Sequence, residues 1–192
     1  MTNLCRWHDF YEKASGPQRF GHDRSYRIAA AFLKDCATVQ DWGCGACWLR
    51  QYVDDERYLG IDGSGPHAQL WMDLVDYRSE CQGICLRHVL EHNDDWRAIL
   101  ANALASFRKR MVIVLSTGLA DHDVELSFDD RIGVPDIALS RSELALQLSK
   151  FSFTIIEEPD GETFIFVSRR AAGHDKAVDR AMGHRCLTST SV

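Results

Sequence analysis

The stretch Val39-Gln40-Asp41-Trp42-Gly43-Cys44-Gly45-Ala46-Cys47 decides the fold. Residues 37–42 read as a strand, Gly43-Cys44-Gly45 as a tight turn, and residues 47–53 as the helix that follows. Glycines at such a turn let backbone approach a ligand, and a helix N-terminus faces it. About twenty residues on, Asp62 ends a second strand over residues 57–62. A carboxylate there can accept hydrogen bonds from both hydroxyls of a ribose. A tight turn with no ligand is the alternative reading, and Asp62 at this spacing weighs against it. A nicotinamide site would place a third glycine in G-x-G-x-x-G spacing, and Trp48 stands there instead.

Outward from this unit, strands and helices alternate. Residues 25–35 carry Ile28, Ala31 and Phe32 at helical spacing. Residues 68–74 read as a third strand and residues 83–90 as a fourth. A helix is expected from Asn93 to Phe107, with Asn93 as N-cap, Asp94 and Asp95 in its first turn, and Arg108-Lys109-Arg110 closing it. Met111-Val112-Ile113-Val114-Leu115 is a continuous apolar run, as a central strand buried on both faces requires. Residues 118–139 read as a long polar loop, and Ser140 or Ser142 starts a helix. Residues 151–158 and 162–170 form two strands joined at Pro159-Asp160-Gly161, a hairpin signal. The expectation is an α/β fold: a Rossmann-like, doubly wound, seven-stranded sheet, mostly parallel, with a C-terminal antiparallel hairpin and helices on both faces. Residues 1–24 are read as an N-terminal cap, 25–170 as the domain, and 171–192 as a flexible tail.

The chain has 192 residues, 45% hydrophobic and 26% charged, an ordinary composition for one globular domain. Its 22 Lys+Arg against 28 Asp+Glu leave a net charge of -6, which argues against duplex nucleic acid or an anionic membrane as the main partner. No apolar run is long enough to span a bilayer, and the N-terminal residues carry no secretory h-region. Seven cysteines without framework spacing suggest reduced thiols in a cytoplasm. No metal site is expected. His88 and His92 are four apart but lack the H-E-x-x-H pattern, and Cys81 and Cys85 fall near the start of the fourth strand, away from Cys44 and Cys47. Cys44-x-x-Cys47 has redox spacing and reads as two reduced thiols.

Three blocks, Asp41-Trp42-Gly43-Cys44-Gly45, Leu59-Gly60-Ile61-Asp62-Gly63-Ser64 and Arg87-His88-Val89-Leu90-Glu91-His92, resemble in order and spacing the class I S-adenosylmethionine-dependent methyltransferases. The third block is similar to the small-molecule branch, and the resemblance covers roughly residues 25–170. It implies S-adenosylmethionine as cofactor and a small-molecule or sugar-like acceptor methylated at oxygen or nitrogen. Gly43, Cys44 and Gly45 would lie under the methionine part of the cofactor, with Asp41 near its ammonium. Asp62 and Gly63 would hold the ribose, Asp73 and Leu74 would flank the adenine, and His88 would line the methyl-transfer face. Cys47 stands where the family often has a third glycine.

An oxygen acceptor must lose a proton, which calls for a base, and histidine is the natural type near neutral pH. His88, His92 and His122 are the candidates, with Asp121 as a fallback. Tyr11 and Arg27, in or just after the N-terminal segment, and Asp121, in the acidic loop, are candidate acceptor contacts. Two other readings stand beside this one: a non-catalytic binding module or partner subunit with the same fold, and a lyase using the same cofactor. The sequence leaves the oligomeric state open.

Overall fold

Alternating apolar residues on the central strands divide the core in two. The computed structural model describes residues 7–11, 23–64, 66–130 and 132–170. Among these, the strands are β1 (Val39–Trp42), β2 (Tyr58–Asp62), β3 (Leu70–Trp71), β4 (Cys81–Arg87), β5 (Phe107–Leu115), β6 (Val124–Asp129), β7 (Val134–Ala138), β8 (Ser152–Glu157) and β9 (Thr163–Ser168). Besides a short helical segment over residues 7–11, the α-helices are α1 (Asp23–Phe32), α2 (Trp96–Ser106) and α3 (Arg141–Leu148). Seven strands form one sheet in the order β3-β2-β1-β4-β5-β9-β8. The pairs β1–β2, β1–β4, β2–β3 and β4–β5 are parallel. β9 runs antiparallel between β5 and β8, as the expected terminal hairpin.

Side chains alternate across this sheet with period two. On one face Ile84, Leu86, Met111, Ile113 and Leu115 meet Trp96, Ile99 and Leu100 of α2 and Leu144 and Leu148 of α3. On the other, Cys85, Val112 and Val114 meet Tyr26 and Ala29 of α1, and Leu33 and Leu49. Both faces are covered, as expected for parallel strands. The chain runs outward from β1 to β3 and then crosses back to β4, so strand order reverses between β1 and β4. Ligands bind at such a switch point, outside the carboxyl ends of the strands.

Several expected elements differ. The helix over 47–53 is a short 3-10 helix, Trp48–Tyr52, entered from Cys47 in the left-handed region at φ 58. The third strand shrinks to Leu70–Trp71. The fourth covers Cys81–Arg87, and residues 88–92 turn away beyond it. The helix expected from Asn93 begins at Trp96, with Asp95 at its N-cap and no capping bond from that side chain. Its C-terminal end is set by fully buried Phe107, whose extended backbone starts β5, so Arg108-Lys109-Arg110 belong to a strand. Ser140 caps α3, its Oγ accepting the Glu143 N–H.

The largest departure is the loop over 118–139, which folds into a separate two-stranded sheet of β6 and β7. Val124, Leu126 and Phe128 do alternate with polar residues, and Gly133 turns with φ 77. Acidic neighbours hid that short pattern, and Leu126 and Phe128 stay exposed. Among the described residues no helix is long and apolar enough to cross a membrane.

Candidate functional site

Beyond β1 the backbone turns through Gly43 at φ 73 and Gly45 at φ 51, a region that favours glycine. The N–H groups of Gly43 and Cys44 donate to the Ile61 carbonyl of β2, at 2.8 and 3.2 Å. Asp62, at the end of β2, ties the two strand ends together. Its Oδ2 accepts from the Gly45 N–H at 2.9 Å. Its Oδ1 accepts from the Ser64 N–H at 2.8 Å and from Ser64 Oγ at 2.7 Å. A Cβ on Gly43 would lie 2.4 Å from Val89 Cγ2, so the loop also fits closely against the segment after β4.

These contacts frame a cavity of about 430 Å³ at the switch point between β1 and β4. Its wall contains Tyr11, Gly43, Cys44, Gly45, Asp62, Gly63, Asp73, Leu74, His88 and His92, all expected from the sequence. The short helix over residues 7–11 crosses the glycine turn, and a Cβ on Gly45 would come within 2.6 Å of the Tyr11 hydroxyl. Burial pushes that phenol above its ordinary range, so it stays neutral.

Four expected residues lie elsewhere. Asp41 sits behind the wall, buried, its Oδ2 accepting from the Tyr58 hydroxyl at 2.9 Å. Burial pushes this carboxyl up to about 7. Arg27 lies on α1, over the Tyr52 ring at 5.8 Å, and borders a separate surface hollow. Asp121 and His122 are exposed and off the cavity wall. Their neighbour Asp123 anchors that segment instead, accepting from Trp96 Nε1 at 3.0 Å and from the Ser140 N–H at 2.7 Å.

The two cavity histidines flank Glu91, which is fully buried. Glu91 Oε1 accepts from the Ser116 N–H at 2.6 Å and from Ser116 Oγ at 3.0 Å, fastening the segment after β4 to the end of β5. His88 is held in the left-handed region at φ 54, strained for a residue with a Cβ. Its Nε2 is buried and lies 3.5 Å from Glu162 Oε1. The nearby His88 ring, and then Arg87, hold the Glu162 carboxyl below its usual range against the effect of burial. His92 Nδ1 lies 3.1 Å from the Pro135 carbonyl oxygen and 3.0 Å from Asp136 Oδ1. Both oxygens accept only, so in the neutral ring Nδ1 carries the proton and Nε2 the lone pair.

Sequence reasoning missed several wall residues. Arg87 is buried, donates from Nε to Ser25 Oγ at 2.9 Å and from an η-nitrogen to the Tyr26 hydroxyl at 3.0 Å, and lies 4.1 Å over the Tyr26 ring. Its partners on α1 are about sixty residues away in sequence, and no local motif announces them. Asp94 and Asp95, expected only to favour the helix dipole, also line the cavity, as does Pro135.

No protein-family model and no curated protein matches the sequence. Solved structures do match. The 1,6-didemethyltoxoflavin-N1-methyltransferase of Burkholderia thailandensis, solved with 1,6-didemethyltoxoflavin and S-adenosylhomocysteine, superposes with a TM-score of 0.60 at 16% identity, over 87% of this chain and 84% of that one. The fold is that of the class I S-adenosylmethionine-dependent methyltransferases. Magnesium protoporphyrin IX methyltransferase of Synechocystis PCC 6803, with bound S-adenosylhomocysteine, gives 0.58 at 15% identity over 86% and 93% of the two chains. The N-terminal domain of EvdMO1, in the presence of S-adenosylhomocysteine and D-fucose, gives 0.56 at 12% over 85% and 94%. Against the methyltransferase fold, the glycine turn, Asp62 and the segment after β4 stand at the strand ends where ligands of such sheets bind.

Proposed function

We propose that this chain is a methyltransferase that uses S-adenosylmethionine to methylate a small acceptor at oxygen or nitrogen. One observation carries the reading: a single cavity joins the glycine turn and Asp62 on one side to two imidazoles on the other. The residues fit the cofactor. Gly43 and Gly45 keep the turn free of Cβ atoms that would strike Val89 and the Tyr11 hydroxyl, and Asp62 is a carboxylate at the end of β2 on the same cavity wall. Asp73 and Leu74 form the adjoining wall, suited to an adenine ring and its amine. When bound, the cofactor supplies a sulfonium methyl already activated by its positive charge.

The chain's own groups then align, exclude water and handle a proton. Asp136 and the Pro135 carbonyl fix the His92 ring in one tautomer, with its lone pair on Nε2. That nitrogen can take the proton from an acceptor hydroxyl, and the Asp136 carboxylate stabilises the resulting imidazolium. His88 presents the second ring of the same wall, backed by Glu162. Tyr11 and Trp7 close the space from the N-terminal side.

Thermal unfolding with S-adenosylhomocysteine, and with NADH as control, tests the reading. Ligand at about 100 times its dissociation constant adds about 2.7 kcal/mol. A rise in Tm with S-adenosylhomocysteine alone is expected, followed by S-adenosylhomocysteine release when acceptor is supplied. No shift at millimolar ligand would remove the cofactor assignment. Binding without turnover on any hydroxyl or amine acceptor would leave a binding module of the same fold, and consumption of the cofactor without an acceptor would indicate a lyase.

A further inference from the structure

Two thiols in the glycine turn have a property that the methyl-transfer reading does not use. Cys44 Sγ and Cys47 Sγ lie 3.3 Å apart and share a hydrogen bond. The turn that carries them is closed by the Cys47 N–H donating to the Cys44 carbonyl at 2.8 Å. A turn of that kind keeps its outer Cα atoms within about 7 Å, the range a disulfide spans. Cys47 adopts φ 58, an unfavourable backbone for a residue with a Cβ. Gly60 of β2 lies beneath both sulfurs: a Cβ there would come within 2.9 Å of Cys47 Sγ and 3.1 Å of Cys44 Sγ. The missing side chain makes the space in which the two thiols meet.

We propose that Cys44 and Cys47 form a thiol–disulfide exchange site whose substrate class is a small-molecule disulfide. Cys47 is the attacking residue: it is the more exposed of the two, and once it has lost its proton a Cys44 S–H turned across the 3.3 Å gap would stabilise the thiolate. That hydrogen bond draws the Cys47 thiol below its ordinary range, while the same bond and burial push Cys44 up. In the first step the Cys47 thiolate attacks one sulfur of the small disulfide. A Cys47–S bond forms, the small disulfide's S–S bond breaks, and one thiolate departs. Cys44 then loses its proton to solvent and attacks the Cys47 sulfur, forming the Cys44–Cys47 disulfide and expelling the second thiolate. The protein gives up two electrons and two protons, and the small disulfide becomes two thiols. The other described cysteines, Cys36, Cys81 and Cys85, are buried with thiols pushed above their ordinary range, so they serve as internal controls.

The test uses the full, folded chain. The reduced protein is incubated with oxidised glutathione, quenched in acid, denatured, alkylated with iodoacetamide and mapped by peptide mass. The peptide carrying Cys44 and Cys47 is expected to be two hydrogens lighter and unalkylated, and dithiothreitol should restore both thiols. Cys36, Cys81 and Cys85 should remain alkylatable. In Cys44→Ser a glutathione adduct should persist on Cys47, and in Cys47→Ser the rate of reaction at residue 44 should fall at least tenfold. The proposal is overturned if both thiols of the wild-type chain stay alkylatable, if either pairs with another cysteine, or if the Cys44→Ser adduct lands elsewhere. The wild-type map needs no variant to fold.

Discussion

The two walls of the cavity are built in opposite ways. The wall on the β1 and β2 side is local: Asp62 bonds to Gly45 across 17 positions and to Ser64 across 2, and Gly43, Gly45 and Gly63 on it have no side chains. The opposite wall is assembled from distant segments. Arg87 reaches Ser25 across 62 positions, and His92 reaches Pro135 across 43. Its chemistry lies in side chains whose partners come from α1, the β6–β7 hairpin and the β8–β9 turn. The first wall is therefore expected to govern cofactor affinity and local stability. The second is expected to govern turnover and leave cofactor affinity nearly intact.

The largest effect expected is on the second wall. His92→Gln should lower methyl transfer by about 100-fold or more, read as S-adenosylhomocysteine release with a hydroxyl-bearing acceptor. Asp136→Asn should follow it in direction. Both should bind S-adenosylhomocysteine within about twofold of wild type by calorimetry, because a positioning loss acts on the reacting proton and not on the cradle. A large loss of binding in either variant would break the division between the walls.

On the first wall, Gly43→Ala should cost about 3 kcal/mol of stability, since a left-handed backbone and a contact with Val89 both penalise a Cβ. Denaturant unfolding measures it, and an unchanged midpoint would show that the loop relaxes freely. Asp41 sharpens the comparison from behind that wall. Burial raises its carboxyl to about 7 from 3.8, so the folded chain holds this proton more tightly than the unfolded one. Its contribution to stability is greatest below the unfolded value and is lost as pH rises toward 7. On this group's account, stability should fall by about 2–3 kcal/mol between pH 5 and pH 8. Asp41→Asn should remove that part of the slope, and a slope identical to wild type would show that Asp41 is not protonated in the native chain. The smallest effect is expected for Asp62→Ala, about tenfold weaker S-adenosylhomocysteine binding. Equal affinity would take Asp62 out of the cofactor site.

This contrast also explains what the sequence could disclose. The succession of strands along the chain, the terminal hairpin and the glycine turn follow from short-range signals: an apolar run at 111–115, a turn at 159–161, and glycines before Asp62. His88 and His92 could be named from their own motif, but Glu162 and Asp136 could not, because only packing brings them beside the rings. Asp41 shows the converse. It lies within the most informative motif, yet its side chain turns to Tyr58 and away from the cavity, which residue type and spacing do not reveal. The β6–β7 hairpin was hidden for a different reason. Its β6 strand contributes little to the core, so the alternation there is short and interrupted by charge, while the buried residues sit on β7.

On the proposed function, the charge of the cavity wall bears on how ligand is exchanged. Asp62, Asp73, Asp94 and Asp95 line it, with the buried Arg87 as their counterweight. A lining with excess carboxylate attracts a ligand bearing a positive sulfur, and that attraction is stronger away from bulk water. Transfer of the methyl group leaves the sulfur neutral. The same carboxylates would then hold the neutral, spent ligand less tightly than the charged donor, so the wall's charge would favour exchange of old ligand for new.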